Sequence, residues 1–517
     1  MRFRPILAIS LLASVLVAQA PFKAPITRKL DVVDTYFGTQ VPDPYRWLED
    51  DHSLDTKAWV ETQNKATESY FATIPERTRI QDRLTRLWNY EKYSAPRKHG
   101  SYYVYSYNTG LQNQAVLYLT ESIEDKGRVL LDPNTLSKDG TISLAGTVFS
   151  EDGKYMAYGL SKAGADVTTW KIREVATGQD LPDALPTGRV GVNEWAKDGS
   201  GFYYSNYPAV EASKALTAVY KHQKLFFHKL GTPASADKII YERPDQPDWG
   251  FRCGVTDDGR FLVIGQSQGT ERRNRVFIKD LAKADSPVLP LFDKFDGSYN
   301  ILGNDGDTFY VSTDFEAPRG RVIAVNRLNP DPKTWKEIVP QATNRDVIGG
   351  VSLLGNTLAV TWRIDALNTV KFYDLKGKYL KTIQQEQIGS LMGFGGERKD
   401  TEIFYTFTSY NLPPTTFRYD LKRGKASVFR QPKVDVNPSD FEVKQVFYAS
   451  KDGTKVPLFL AYKKGLKLDG LNPTLLYGYG GFNIPQAPGF SPANLVWMEM
   501  GGVYAVACLR GGNEYGK

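Results

Sequence analysis

One short pattern constrains this chain more than any other: a turn, usually containing glycine, followed by a run of aromatic and β-branched residues. It occurs as His99-Gly100 before SYYVYSYN, Asp152-Gly153 before KYMAYGLS, Asp198-Gly199 before SGFYYSNY and Asp258-Gly259 before RFLVIGQS. It returns as Asp305-Gly306 before DTFYVST, Gly355-Asn356 before TLAVTWR, and Lys399-Asp400 before TEIFYTFTS. Turn chemistry followed by apolar residues at period two marks a β-hairpin. The seven occurrences lie roughly 45 to 60 residues apart, and each interval has room for four strands. That period predicts propeller blades. The expected fold is mainly β with an α/β part: a seven-bladed β-propeller over residues 80–435, preceded by helices. Two β-sandwiches are the competing reading, but they do not require a near-regular spacing.

The flanks have a different texture. Pro42 and Pro44 hold an extended lead-in. A helix capped by Ser53 then carries Ala58, Trp59, Val60, Ala66 and Tyr70 near one face, and Pro75 separates it from a second helix with Ile80, Leu84, Leu87 and Trp88. After Pro438, two strands flank Ser450-Lys-Asp-Gly453 as a hairpin. Pro473 to Tyr479 reads as a buried strand, Pro492 to Met500 as a helix, and Val503 to Leu509 as another buried strand. Strand, helix and strand predict a βαβ unit at the start of a parallel sheet. On this reading Val503 to Leu509 is an exposed edge, a liability that further strands would cover, so the chain is expected to be the N-terminal portion of a longer protein.

The first twenty residues have a basic start, an apolar stretch from Ile6 to Val17 and the small-x-small ending Ala18-Gln19-Ala20. This predicts a secretory signal cleaved after Ala20 and a periplasmic or secreted protein. No other segment is long and apolar enough to span a bilayer, so no membrane contact is expected. The formal charge is +7, and removing Arg2 and Arg4 with the leader leaves about +5, too weak a bias over this length for a nucleic-acid partner. Basic clusters such as Glu271 to Arg275 read as solvated faces. Cys253 and Cys508 are no disulfide framework and read as buried free thiols.

The candidate chemistry lies in Tyr477-Gly-Tyr-Gly-Gly-Phe-Asn483, directly after the apolar pair Leu475-Leu476. A glycine-rich loop leaving a sheet strand is where α/β-hydrolases place an oxyanion-hole donor. Glycines permit close backbone approach, and a tyrosine hydroxyl can donate to a developing oxyanion. The chain also contains one G-x-S-x-G, Gly265 to Gly269. A nucleophile elbow needs strand, turn and helix, whereas strand patterning continues here, so Ser267 reads as a hairpin serine. His52, His99, His222 and His228 read as surface or packing residues. Zinc-spaced cysteines, H-E-x-x-H, a P-loop and a dinucleotide fingerprint are all lacking, so no metal or cofactor is expected.

Together DPYRWLED (Asp43 to Asp50), YNTGLQNQ (Tyr107 to Gln114), LDPNTLS (Leu131 to Ser137), FSEDGKYMAYGLS, KDTEIFYTFTS, YASKDGTKVPLFL (Tyr448 to Leu460), LLYGYGGFN and LRGGNEYGK carry a resemblance. From Asp43 to Lys517 the chain resembles the prolyl oligopeptidases, serine peptidases with a seven-bladed propeller inserted in an α/β-hydrolase domain. The resemblance implies residues 21–79 as an N-terminal helical part of the hydrolase domain and 436–517 as the start of its catalytic part. It implies hydrolysis of short peptides after proline, with Tyr479 completing the oxyanion hole and Phe482 in the substrate pocket. The serine, aspartate and histidine of the family, and the tryptophan that stacks on the substrate proline, would lie after Lys517, so this chain alone is expected to be inactive. Asn513 stands where the family's R-G-G-G-E-Y-G run has a third glycine, which raises the question of its backbone geometry. Short proline-containing peptides are the expected partners, admitted to a covered site, and the chain is expected to be a monomer. Two alternatives stay open: a non-catalytic secreted propeller that binds peptides, and a relative with dibasic specificity.

Overall fold

The computed structural model describes residues 22–211, 218–283 and 285–516. The expected leader lies outside them. Two compact units divide at Arg83 and Leu84.

The first unit contains a hairpin, Val33–Tyr36 with Thr39–Pro42, and helix α1, Leu54–Ala72. Ser53 is the N-cap expected from sequence, its hydroxyl accepting from the Thr56 amide at 3.1 Å. Helix α2 spans Arg77–Trp88 and begins just past Pro75. The apolar face read for α1 is largely uncovered, because Thr56 is its one buried residue while Val60 and Tyr70 are exposed.

In the second unit, seven antiparallel sheets follow one another where seven blades are expected. Sheet 1 runs over Lys92–Leu131, sheet 2 over Ile142–Ala184, sheet 3 over Gly191–Tyr241 and sheet 4 over Trp249–Phe292. Sheets 5, 6 and 7 cover Tyr299–Val339, Val347–Thr382 and Ser390–Arg430. Each is a four-stranded meander in chain order, with one added short strand, Arg97–His99, in sheet 1. Apolar clusters bridge every consecutive pair, from Val104 and Met156 between sheets 1 and 2 to Phe372 and Tyr405 between sheets 6 and 7. Sheets 7 and 1 also meet: the Tyr103 hydroxyl donates to Glu402 at 3.1 Å, and the Arg430 guanidinium lies 4.3 Å from the Tyr93 ring.

In sheets 2 to 7 the recurrent turns join the first and second strands, and in sheet 1 the turn joins the short strand Arg97–His99 to Tyr102–Asn108, so they gather at one end. Gly100 and Gly153 adopt left-handed φ of 57° and 72°. They stand back to back, and a Cβ on Gly100 would fall 2.0 Å from the Asp152 carbonyl oxygen. The longest turn, Gly393 to Asp400 of sheet 7, reaches furthest. Its Arg398 bonds Asn356 of sheet 6 at 2.6 Å and the Asn304 carbonyl of sheet 5 at 2.7 Å, and its Lys399 pairs with Glu151 of sheet 2. Contacts from one sheet to non-neighbours on both sides require this turn to cross the middle of the array.

At the opposite end lies a terminal sheet: β1 Phe441–Ala449, β2 Lys455–Lys463, β3 Thr474–Gly478 and β4 Val503–Ala507, with α3 Pro492–Glu499 between β3 and β4. The order is β1-β2-β4-β3, with β3 parallel to β4 and the other pairs antiparallel. This is the expected strand–helix–strand unit, with one correction. β3, expected to be buried, is exposed along its whole length, and β4, expected as the open edge, lies inside. The reason is topological: β2 pairs with β4 and leaves β3 outermost.

Among the described residues no helix is long and apolar enough to cross a membrane. Both cysteines are free, Cys508 buried and Cys253 partly so.

Candidate functional site

The loop after β3 owes its shape to glycine. Gly480, at φ 67°, lies so close to the chain after β4 that a Cβ on it would meet the Arg510 carbonyl oxygen at 2.7 Å. Gly511, at φ 91°, answers from the other side, where a Cβ would fall 2.0 Å from the Gly480 oxygen. The two loops therefore touch backbone to backbone, and the Asn483 amide donates to the Gly511 carbonyl at 2.9 Å. Phe482 and Asn483 are consecutive left-handed residues, φ 52° and 56°. For phenylalanine this is a strained state that its surroundings must enforce.

The consequence is an outward display. Tyr479 and Phe482 are 47% and 66% exposed, too high for core packing. Among the described residues the Tyr479 hydroxyl has no hydrogen-bond partner, so its donor is available.

Below the loop the chain is anchored to the sheets. Glu514, almost fully buried, accepts from the Gln486 amide at 2.8 Å and folds over Gly512. Buried Arg363 of sheet 6 donates to the Asn513 carbonyl. The Tyr515 hydroxyl donates to Asp365 at 3.1 Å, and Arg345 pairs with the same carboxylate at 3.1 Å. Ser390 of sheet 7 donates to the Pro488 carbonyl at 2.6 Å. Burial, and then the Glu514 charge, push the Cys508 thiol up to about 12, so it stays a thiol beside this loop.

The question raised by Asn513 has a simple answer: its φ is not positive, and the left-handed turns fall on Gly511 and Gly516. Glu514 stands inside the LRGGNEYGK run, but nothing local in that run distinguishes it as an anchor. Arg363 had no signal, because the contact joins residues 150 positions apart.

Ser267 lies in the strand Phe261–Gln268, followed by the strand Arg275–Asp280 rather than a helix. The histidines are dispersed. His52 is exposed ahead of α1, and His222 lies in a loop at φ 60°. His99 stacks on Phe149 at 4.3 Å, and burial pushes its pKa down to about 4. His228 is more than a packing residue: it is fully buried between Asp237 at 2.8 Å and Asp183 of sheet 2 at 3.1 Å, a polar junction between sheets 2 and 3. Among the described residues no group of acidic, histidine or cysteine side chains could hold a metal.

Comparison with known proteins bears on this site. Residues 24–432 match the family model described as prolyl oligopeptidase, N-terminal beta-propeller domain. A prolyl endopeptidase of Elizabethkingia meningoseptica is 43% identical over 495 residues, 96% of this chain and 69% of that protein. Prolyl oligopeptidase A of Amanita bisporigera is 32% identical and is covered over 70% of its length. Among solved structures, a prolyl endopeptidase from a study of inter-domain dynamics matches with a TM-score of 0.89 at 35% identity, covering 96% of this chain and 72% of the other. Prolyl oligopeptidase B of Galerina marginata, bound to a 25mer macrocyclization substrate, matches at 0.88 and 29% identity over 96% of this chain and 73% of the other. The mainly β architecture with a propeller-type domain is thus shared along nearly the whole chain, which belongs to the prolyl oligopeptidase family.

Proposed function

We propose that this chain supplies the substrate-enclosing domain and the oxyanion-stabilising loop of a serine-type prolyl oligopeptidase that cleaves short peptides on the carboxyl side of proline. The relatives support a prolyl peptidase function. The observation that carries the finer reading is the unpartnered, outward-facing hydroxyl of Tyr479 on a loop braced by Gly480 and Gly511.

In this mechanism a serine activated by histidine attacks the prolyl carbonyl, and the oxygen of that carbonyl gains negative charge. The Tyr479 hydroxyl donates to it in the transition state. Phe482, in a left-handed conformation, offers an apolar face to the substrate. Ser267 takes no part, and on this reading the nucleophile, base and orienting acid come from outside these 517 residues. The turn from Gly393 to Asp400 narrows one end of the propeller and favours short, flexible substrates. The protein acts as a monomer in the periplasm or outside the cell.

Tyr479→Phe in the catalytically complete enzyme is expected to lower kcat by ~10²–10³ with little change in KM. An unchanged kcat removes Tyr479 from the mechanism. A fluorophosphonate probe is expected to leave the present chain unlabelled; labelling at Ser267 overturns the assignment of that serine.

A further inference from the structure

A cavity of about 600 Å3 opens between sheets 4 and 5. Its walls are the first strand of each sheet, Trp249–Val255 and Tyr299–Asp305, with the turn after the former and part of the strand Phe261–Gln268. None of these residues belongs to the terminal sheet or its loops.

The space is written into the sequence. Elsewhere the two sheets are joined by a cluster that includes Phe261, Phe309, Val311 and Ile323. At the cavity the chain has Gly254, Gly265 and Gly303 in place of larger side chains. A Cβ on Gly265 would meet nothing nearer than the Arg252 carbonyl at 3.9 Å, and one on Gly254 nothing nearer than Glu194 at 4.0 Å. Neither residue has a positive φ, so neither glycine is demanded by its backbone. What they provide is room.

Two charged side chains on this wall lack a counter-charge. Arg252 and Asp257 are exposed, and neither has an ion pair or a side-chain hydrogen bond among the described residues. Three other arginines of sheet 4 are engaged: Arg260 pairs with Asp307 at 3.3 Å and Arg273 with Glu271 at 2.8 Å, and Arg275 donates to Gln266 at 2.8 Å. Arg272, away from this wall, has no ion pair among the described residues either. Arg252 lies in the strand and Asp257 in the turn just past its end at Val255, so ~3.3 Å per residue sets a ceiling of roughly 16 Å on the separation of their α-carbons. An extended peptide of roughly three to five residues has its two charged ends about 10–17 Å apart, which places the shorter of these peptides within that ceiling.

We propose that the cleft between sheets 4 and 5 binds a short zwitterionic peptide, its terminal carboxylate on the Arg252 guanidinium and its terminal ammonium at Asp257. The inference rests on the reading that peptides are the ligands of this protein. A planar guanidinium suits a carboxylate because two parallel N–H groups meet its two oxygens. Ser267, idle as a nucleophile, lies on the same wall and adds a hydroxyl. Every peptide hydrolysis creates one new carboxylate and one new ammonium, so short products acquire the charge pattern this cleft recognises.

The test is calorimetric titration of the 517-residue chain with proline-free tetra-alanine in three forms: free, C-terminally amidated and N-acetylated. Masking either end is expected to weaken binding by roughly two- to fivefold, the worth of an ion pair between exposed groups. Arg252→Ala is expected to abolish discrimination between acid and amide while keeping that against the acetylated form; Asp257→Asn is expected to do the reverse. Gly265→Val, which fills the cleft, weakens all three forms, and the two charge variants decide the matter if it does not fold. Equal affinities for the three forms, no binding of the free peptide, or unaltered discrimination in Arg252→Ala each overturn the proposal. Failure of the peptidase reading would show separately, as no turnover of proline peptides by the catalytically complete enzyme with this discrimination intact.

Discussion

The strand Thr308–Thr313 of sheet 5 and the strand β3 of the terminal sheet have similar apolar composition and opposite fates. In the first, TFYVST, Phe309 and Val311 are fully buried; in the second, TLLYG, every residue is exposed, with Leu476 at 65%. The difference lies in the neighbours. The sheet 5 strand is paired on both sides, and its Phe309 and Val311 pack in a cluster shared with sheet 4. β3 is paired on one side only, with β4. Apolar residues create a demand for burial, and topology decides whether it is met. The exposed strand is also the one that launches the Tyr479 loop.

The largest effect expected from this contrast is on stability. Phe309→Ala removes a ring from a closed cluster and is expected to cost ~3–5 kcal/mol in denaturant unfolding, whereas Leu476→Ala should stay within ~0.5 kcal/mol. Similar losses at both positions would mean that β3 is covered in solution. Next comes Gly511→Ala, whose methyl would collide with the Gly480 oxygen and separate the two loops. It is expected to reduce kcat of the catalytically complete enzyme by ~10² through the displaced donor, with KM less affected. Retained kcat would show that the contact between the loops does not position Tyr479.

A smaller effect concerns pH. Burial, opposed by the nearby Lys197 charge, raises the Glu194 carboxyl from 4.5 to about 7. A carboxyl raised on folding stabilises the native state below its unfolded pKa, and the contribution disappears as pH rises through the folded one. Glu194 should therefore contribute stability below pH 4.5 that is lost by about pH 7. Glu194→Gln is expected to remove a slope worth at most ~3 kcal/mol across that window in unfolding measured against pH. His99, lowered from 6.5 to about 4, works in the opposite sense: its contribution is present above pH 6.5 and lost as pH falls toward 4. The difference between parent and variant isolates Glu194, and identical profiles would discount its burial.

Much of the fold could be read locally. The turns at Gly100, Gly153, Gly199 and Gly259 adopt the left-handed dihedrals that glycine allows, and the runs after them form strands, because turn chemistry and period-two patterning act over a few residues. The Ser53 cap is equally local. The candidate loop was legible as a glycine-rich exit from a strand. Its bracing was not, since the contacts of Gly480 with Gly511 and of Arg363 with Asn513 join distant positions. The exposure of β3 is not legible locally, because an apolar run records a preference for burial and carries no information about which strand will be outermost.

Sequence by itself determined the repeat, the helical lead-in, the strand–helix–strand close and the glycines that let Tyr479 reach outward. These follow from dihedral preference and hydrophobic periodicity, which act between near neighbours. Only the tertiary structure decided that the Gly393 to Asp400 turn crosses the array, that β3 is the open edge, and that Arg252 and Asp257 stand without partners beside a glycine-lined cleft. Those outcomes depend on which distant surfaces meet, and that is settled when the sheets pack together.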